Sequence, residues 1–133
     1  MTAVSLATLS QCTAQEVFDH VVRGLKSQGF ERSLREGEEL QTNPVCAYRG
    51  AHGMKCAAGW IIADDEYDPE FDGEDAGDWC WMLAAFDRVP DAHDDLIVDL
   101  QAAHDTGREP DDMRGRLRRV AKRYALSTAA LDA

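Results

Sequence analysis

Nine carboxylates fall within fifteen residues, from Asp64 to Asp78, and Pro69 and Gly73 interrupt them. A regular buried element does not cross such a stretch, because charged side chains stay at the surface unless paired. Six of the acids alternate: Asp64, Glu66, Asp68, Glu70, Asp72 and Glu74. In an extended chain these would project to one side, about 6.6 Å apart. Phosphates along one DNA strand advance about 3.4 Å per nucleotide in axial rise, so the two charge ladders are of similar order. Tyr67 and Phe71 lie on the odd side, where they can anchor the ribbon on a core, and Trp79 and Trp81 follow. Acids steer an encounter and aromatics anchor it. The spacing therefore predicts a docking surface for a basic partner, made of Asp64, Glu66, Tyr67, Asp68, Glu70, Phe71, Asp72, Glu74, Asp75 and Asp78. A solvated loop is the plainer alternative.

The length of 133 residues fits one compact domain, and 44% hydrophobic residues supply a core. A net charge of −11 repels bare nucleic acid and anionic membranes. No apolar run reaches the roughly 18 residues of a membrane span. Residues 1–12 hold no Lys or Arg, which argues against a secretory signal. A cytoplasmic location with reduced thiols is expected, and the four cysteines, Cys12, Cys46, Cys56 and Cys80, read as buried thiols.

Periodicity predicts the elements. Residues 1–12 carry no period and are expected to fray. Thr13 and Glu16 form a capping box, and Val17, Val21, Val22 and Leu25 make an apolar stripe, so a helix is expected over 13–28. Residues 31–43 read as a loop. Val45–Arg49 and Met54–Ala57 flank Gly50-Ala51-His52-Gly53 and predict a two-stranded β-hairpin with Gly53 at positive φ. Residues 57–63 predict a short buried helix, and 79–89 another. Asp91 is the expected N-cap of the next helix, with Leu96, Ile97, Leu100 and Ala103 inward and Gly107 at its end. Pro110 opens the last helix, whose stripe is Met113, Leu117, Val120, Ala121 and Tyr124. The expected fold is a single α+β domain over 1–133, with four to five helices and one two-stranded hairpin.

Other chemistries have partial signals. Asp68, Glu70, Asp72 and Gly73 match positions of a calcium loop, but the position of the bidentate Glu falls on Trp79. Cys46, His52, Cys56 and Cys80 lack the close ligand pairs of structural zinc sites. No nucleophile elbow, phosphate-cradling glycine loop or HExxH helix is present. His20, His93 and His104 read as partly exposed. The sequence thus predicts no enzyme, no cofactor and no metal. The last helix carries Arg114, Arg116, Arg118, Arg119, Lys122 and Arg123 behind Asp111 and Asp112. These cations complement the helix dipole and pair with acids, or touch a second protein. The rival reading gives Arg114, Arg118, Arg119, Lys122 and Arg123 to nucleic acid.

Cys46-Ala-Tyr48-Arg49-Gly50, Gly53-Met-Lys55-Cys56-Ala-Ala-Gly59 and Ile62-Ala-Asp64-Asp-Glu-Tyr67 resemble a family of small bacteriophage and prophage proteins. Trp60 stands where that family has a smaller residue. The resemblance covers the first half to two thirds of the chain and implies phage origin and action in the host cytoplasm. It transfers no catalytic residue. With the acidic surface, it leads to the expectation of a phage-encoded inhibitor of a host defence or nucleic-acid-binding protein, of anti-CRISPR or similar anti-defence type, acting as a nucleic-acid mimic. A nucleic-acid-associated regulator using the last helix is the alternative, and a small metal protein or enzyme ranks after it. The partner is expected to be a host protein with a basic surface, with no direct nucleic-acid contact and no membrane.

Overall fold

The computed structural model describes residues 3–37, 46–72, 79, 82–83, 86 and 88–133. Among these, five α-helices occur: α1 (Ala14–Ser27), α2 (Ala57–Ile61), α3 (Asp94–Thr106), α4 (Pro110–Arg123) and α5 (Ala129–Asp132). Three short 3-10 turns, Leu9–Gln11, Ala51–Gly53 and Pro69–Asp72, join them. α1 begins where its sequence says it should. The Thr13 hydroxyl accepts the Glu16 amide at 3.1 Å, and the Glu16 carboxylate accepts the Thr13 amide at 2.9 Å. Its stripe, Val17, Phe18, Val21, Val22 and Leu25, is fully buried. That face packs on α2, and α2 packs in turn on α3. α4 lies against α3 through Met113, Leu117, Val120 and Ala121. α5, which has no clear period, places Ala130 and Leu131 in the core beside α1.

The fold is all-α among the described residues, and the expected α+β class with a hairpin is wrong. The turn itself forms: Gly53 has φ +74°, and the Gly50 amide donates to the Met54 carbonyl at 2.9 Å. The strands do not form, because their backbone groups are taken by distant partners. The amides of Tyr48 and Arg49 donate to the Asp72 carboxylate at 2.7 and 3.1 Å. The Ala47 amide goes to the Ser33 carbonyl at 3.0 Å, and one isolated bridge joins Leu34 to Cys46. A ladder needs those groups free.

Two boundaries also move. The N-cap of α3 is His93, at φ 58°, rather than Asp91. The start of the chain is docked from Ala3 onward rather than frayed: Leu6, Leu9 and Cys12 are buried. Of the expected helix over 79–89, residues 79, 82–83, 86 and 88–89 are described, and Trp79, Met82 and Val89 are buried.

Tyr48, Arg49, Gly59 and Ile62 meet in one clamp. Arg49 threads between Tyr48 and α2. Its Nη1 donates to the Gly59 and Tyr48 carbonyls at 2.8 and 3.2 Å, and its Nη2 to the Ile62 carbonyl at 2.7 Å. It thereby caps carbonyls left open at the end of α2. A Cβ at Gly59 would sit 2.4 Å from the Tyr48 carbonyl oxygen, so only glycine allows this approach. Cys56 caps the other end of α2, its sulfur accepting the Gly59 amide at 3.3 Å.

α4 ends in a Schellman motif. The Leu126 amide reaches the Ala121 carbonyl at 2.8 Å, and the Ala125 amide reaches Lys122 at 3.2 Å. Ala125 holds the left-handed position at φ 54°, where a Cβ is unfavourable. Ala125→Gly is therefore expected to raise stability by about 0.5–1 kcal/mol, read as a higher denaturant midpoint at unchanged slope.

Candidate functional site

From Asp64 to Asp72 the acidic segment is coiled, not extended. The amides of Glu66 and Tyr67 both return to the Ala63 carbonyl, at 2.9 and 3.1 Å, and the Phe71 amide returns to Asp68 at 2.9 Å. Alternation along the chain therefore does not sort these side chains onto two faces, and among the described residues the predicted row of evenly spaced charges is not formed.

Each described acid has its own role. Glu66 turns inward: Oε1 accepts the Leu6 and Ala63 amides at 2.9 Å each, and Oε2 accepts the Ala7 amide at 2.9 Å. It thus ties the N-terminal segment to the end of α2. Asp72 also turns inward, to the Tyr48 and Arg49 amides and to the Tyr67 hydroxyl. Burial, followed by the hydrogen bond to Asp72, pushes the Tyr67 hydroxyl well above its ordinary pKa. Asp64 is exposed and pairs with Lys55 at 3.1 Å and Arg49 at 3.2 Å. These cations, Lys55 first, hold its carboxyl below the usual range. Asp68 caps the Glu70 amide at 2.9 Å and pairs with Arg88 at 3.4 Å. Phe71 is fully buried, edge-on to Tyr67 and to Phe86 with centroids 6.1 and 4.7 Å away. Asp65 and Glu70 face solvent, and their carboxylates make no ion pair among the described residues. Glu74, Asp75 and Asp78 lie outside the described residues.

Residues 64–72 are therefore a loop tied to the rest of the chain. Its inward acids hold backbone, two of its acids are matched by the chain's own cations, and two point out. Of the calcium-loop residues, Asp72 has both carboxylate oxygens engaged by backbone amides and Asp68 pairs with Arg88, while Gly73 lies outside the described residues.

On α4, four arginines have acidic partners. Arg114 pairs with Asp111 at 3.6 Å, Arg116 with Asp112 at 3.2 Å, Arg118 with Asp132 at 2.9 Å and Arg123 with Asp99 at 3.0 Å. Arg119 and Lys122 are exposed and make no ion pair among the described residues.

One cluster escapes sequence reasoning. His104 is fully buried, not partly exposed as expected. Its Nε2 accepts the Ser33 amide at 2.8 Å, so the proton sits on Nδ1, which donates to Asp105 Oδ1 at 2.8 Å. Gln101 donates to the same oxygen at 2.7 Å and accepts the Ala58 amide at 2.9 Å, at the start of α2. Cys46 also faces Asp105. Burial first, and then the Asp105 charge and hydrogen bond, push its thiol up to about 12. Burial raises the Cys56 thiol as well. Ligand atoms of Cys46, His104 and Asp105 lie within 4.8 Å of one another. A metal-bound histidine donates its second N–H to a neighbour, whereas here that nitrogen accepts one. The cluster is thus a hydrogen-bond network joining α2, α3 and the Ser33 segment, and a thiol held protonated is a poor nucleophile. The available signal was the spacing: Gln101 and His104 continue the inward stripe of Ile97 and Leu100, so both are polar groups at core positions. Of the residues weighed as zinc ligands, His52 is exposed in its turn while Cys46 and Cys56 are buried, and Cys80 lies outside the described residues.

No helix among the described residues is long and apolar enough to cross a membrane. No protein-family model, curated protein or solved structure matches this chain.

Proposed function

We propose that this chain is a non-catalytic binding protein that docks on a basic surface of another protein through the outward acids of the 64–72 loop. Asp65 and Glu70 are the contact residues, Asp68 sits at the edge, and Glu74, Asp75 and Asp78 continue the charge in sequence. The observation that carries this reading is the division of labour within the loop. Glu66 and Asp72 are consumed in holding backbone amides, so the loop is ordered before it meets a partner. An ordered loop loses less conformational freedom on binding than a flexible acidic tail. The net charge of −11 adds long-range steering toward a cationic surface. In the phage setting implied by the sequence resemblance, such docking blocks a host machine whose basic surface serves nucleic acid. Imitation of phosphate spacing by an alternating row forms no part of this reading. The nucleic-acid reading of α4 is the weaker one, because four of its arginines are matched internally.

Affinity capture from bacterial lysate identifies the partner, and titration of the purified pair then tests the surface. The Asp65→Lys/Glu70→Lys double variant is expected to melt like the wild type and to bind roughly tenfold or more weakly, with a reduced salt dependence. Equal affinity for wild type and double variant at low salt would refute the assignment. Glu66 is unsuitable for this test, since reversing it breaks the loop itself.

A further inference from the structure

Three glycines lie within helices, and two of them have a reason inside the chain. A Cβ at Gly24 would meet the Trp60 ring at 2.2 Å, and one at Gly59 would meet the Tyr48 carbonyl at 2.4 Å. Gly115, in α4, is different: nothing lies within 4 Å of where its Cβ would be. Glycine inside a helix is unfavourable relative to alanine, and no neighbour here requires it. The space it leaves is the floor of a groove of about 540 Å³. Arg118, Arg119, Lys122, Leu126 and Thr128 form the walls.

The charges in this groove are sorted. Asp132 Oδ1 takes Arg118 Nη2 at 2.9 Å, and its Oδ2 takes the Thr128 hydroxyl at 3.0 Å. Arg118 is therefore neutralised and held in place as a wall. Arg119 and Lys122 remain as two cations without an ion pair among the described residues. Their two positive charges, of which that of Arg119 also acts on Asp112, suit the roughly −1.5 to −2 of a phosphomonoester at neutral pH. Leu126 and the open floor at Gly115 offer apolar contact to whatever carries that phosphate. A polynucleotide fits less well: its phosphodiesters carry one charge each along an extended chain, and the net charge of −11 repels it as a whole.

We propose that the groove between α4 and the 126–128 segment binds a small phosphomonoester with an apolar body, of the size of a nucleoside monophosphate. Arg119 and Lys122 hold the phosphate, and the missing side chain at Gly115 makes room for the body. This site is independent of the acidic loop, and the two proposals stand or fall separately.

The test is calorimetric titration with AMP, adenosine, inorganic phosphate, a single-stranded oligonucleotide lacking terminal phosphates, and a phosphoserine peptide. AMP is expected to bind saturably, adenosine not to bind, and inorganic phosphate to compete with AMP more weakly than AMP itself binds. Arg119→Glu/Lys122→Glu, both at exposed positions, should weaken AMP roughly tenfold or more, while the control Arg23→Glu on α1 leaves it unchanged. Gly115→Ala should raise the melting temperature by roughly 2–4 °C and at the same time weaken AMP binding. A glycine kept only for packing would show neither effect. The proposal is overturned if AMP does not saturate, if the double variant binds it like the wild type, or if Gly115→Ala leaves its affinity intact. It is equally overturned if the oligonucleotide or the phosphopeptide binds more tightly than AMP, since the groove would then belong to a polymer or to a protein.

Discussion

Arg49→Ala is expected to cost about 3–5 kcal/mol of folding stability. The side chain is only 19% exposed, and its guanidinium serves the Tyr48, Gly59 and Ile62 carbonyls together with Asp64. It also lies over the Tyr67 ring at 4.7 Å, adding a cation–π contact. Truncation leaves three carbonyl oxygens without their donor, at least one of them within the core beside Gly59. Arg49→Lys separates charge from shape. A lysine keeps the positive charge near Asp64 but cannot span Gly59 and Ile62 with a planar fork, so a loss of about 2 kcal/mol is expected. Denaturant unfolding at neutral pH measures both. A loss below about 1 kcal/mol for Arg49→Ala would show that the clamp does not hold α2.

Glu66→Ala follows, with an expected loss of about 2–3 kcal/mol, because three backbone amides lose a charged acceptor at once. Glu66→Gln is the informative companion. Oε1 takes Leu6 and Ala63 and Oε2 takes Ala7, so a glutamine oxygen can keep the first pair while its NH2 group confronts the Ala7 amide. A loss of about 1–2 kcal/mol is expected, with faster amide exchange through residues 3–12. An unchanged exchange pattern in Glu66→Ala would mean that Leu6 and Leu9 dock without this tether.

The parts of the fold that were legible in the sequence are those set by neighbours in the chain. The capping box at Thr13 and Glu16, the stripe from Val17 to Leu25, Pro110 at the start of α4 and the positive φ at Gly53 all depend on residues within one or two turns. The parts that were not legible depend on partners far away. Nothing near Tyr48 says that its amide belongs to Asp72, 24 residues on, and that bond is what replaces the hairpin. Likewise, the row from Asp64 to Glu74 presupposed an extended chain, and the turns at Ala63 and Asp68 undo that premise. His104 was misjudged because its acidic neighbours suggested a surface, while its place in the Ile97–Leu100 stripe decided its burial. The polar network at Asp105 then satisfies the imidazole inside the core, as a buried polar group requires.

The docking proposal depends on a loop whose carboxylates are already engaged on one side. Native-state amide exchange, followed residue by residue, reads that directly. The amides of Leu6, Ala63, Tyr48 and Arg49 should exchange slowly, in step with the core of α1, because each is held by Glu66 or Asp72. If they instead exchange at the rate of an unstructured chain while α1 stays protected, the loop is a free acidic tether, and the ordered docking surface described for it does not exist.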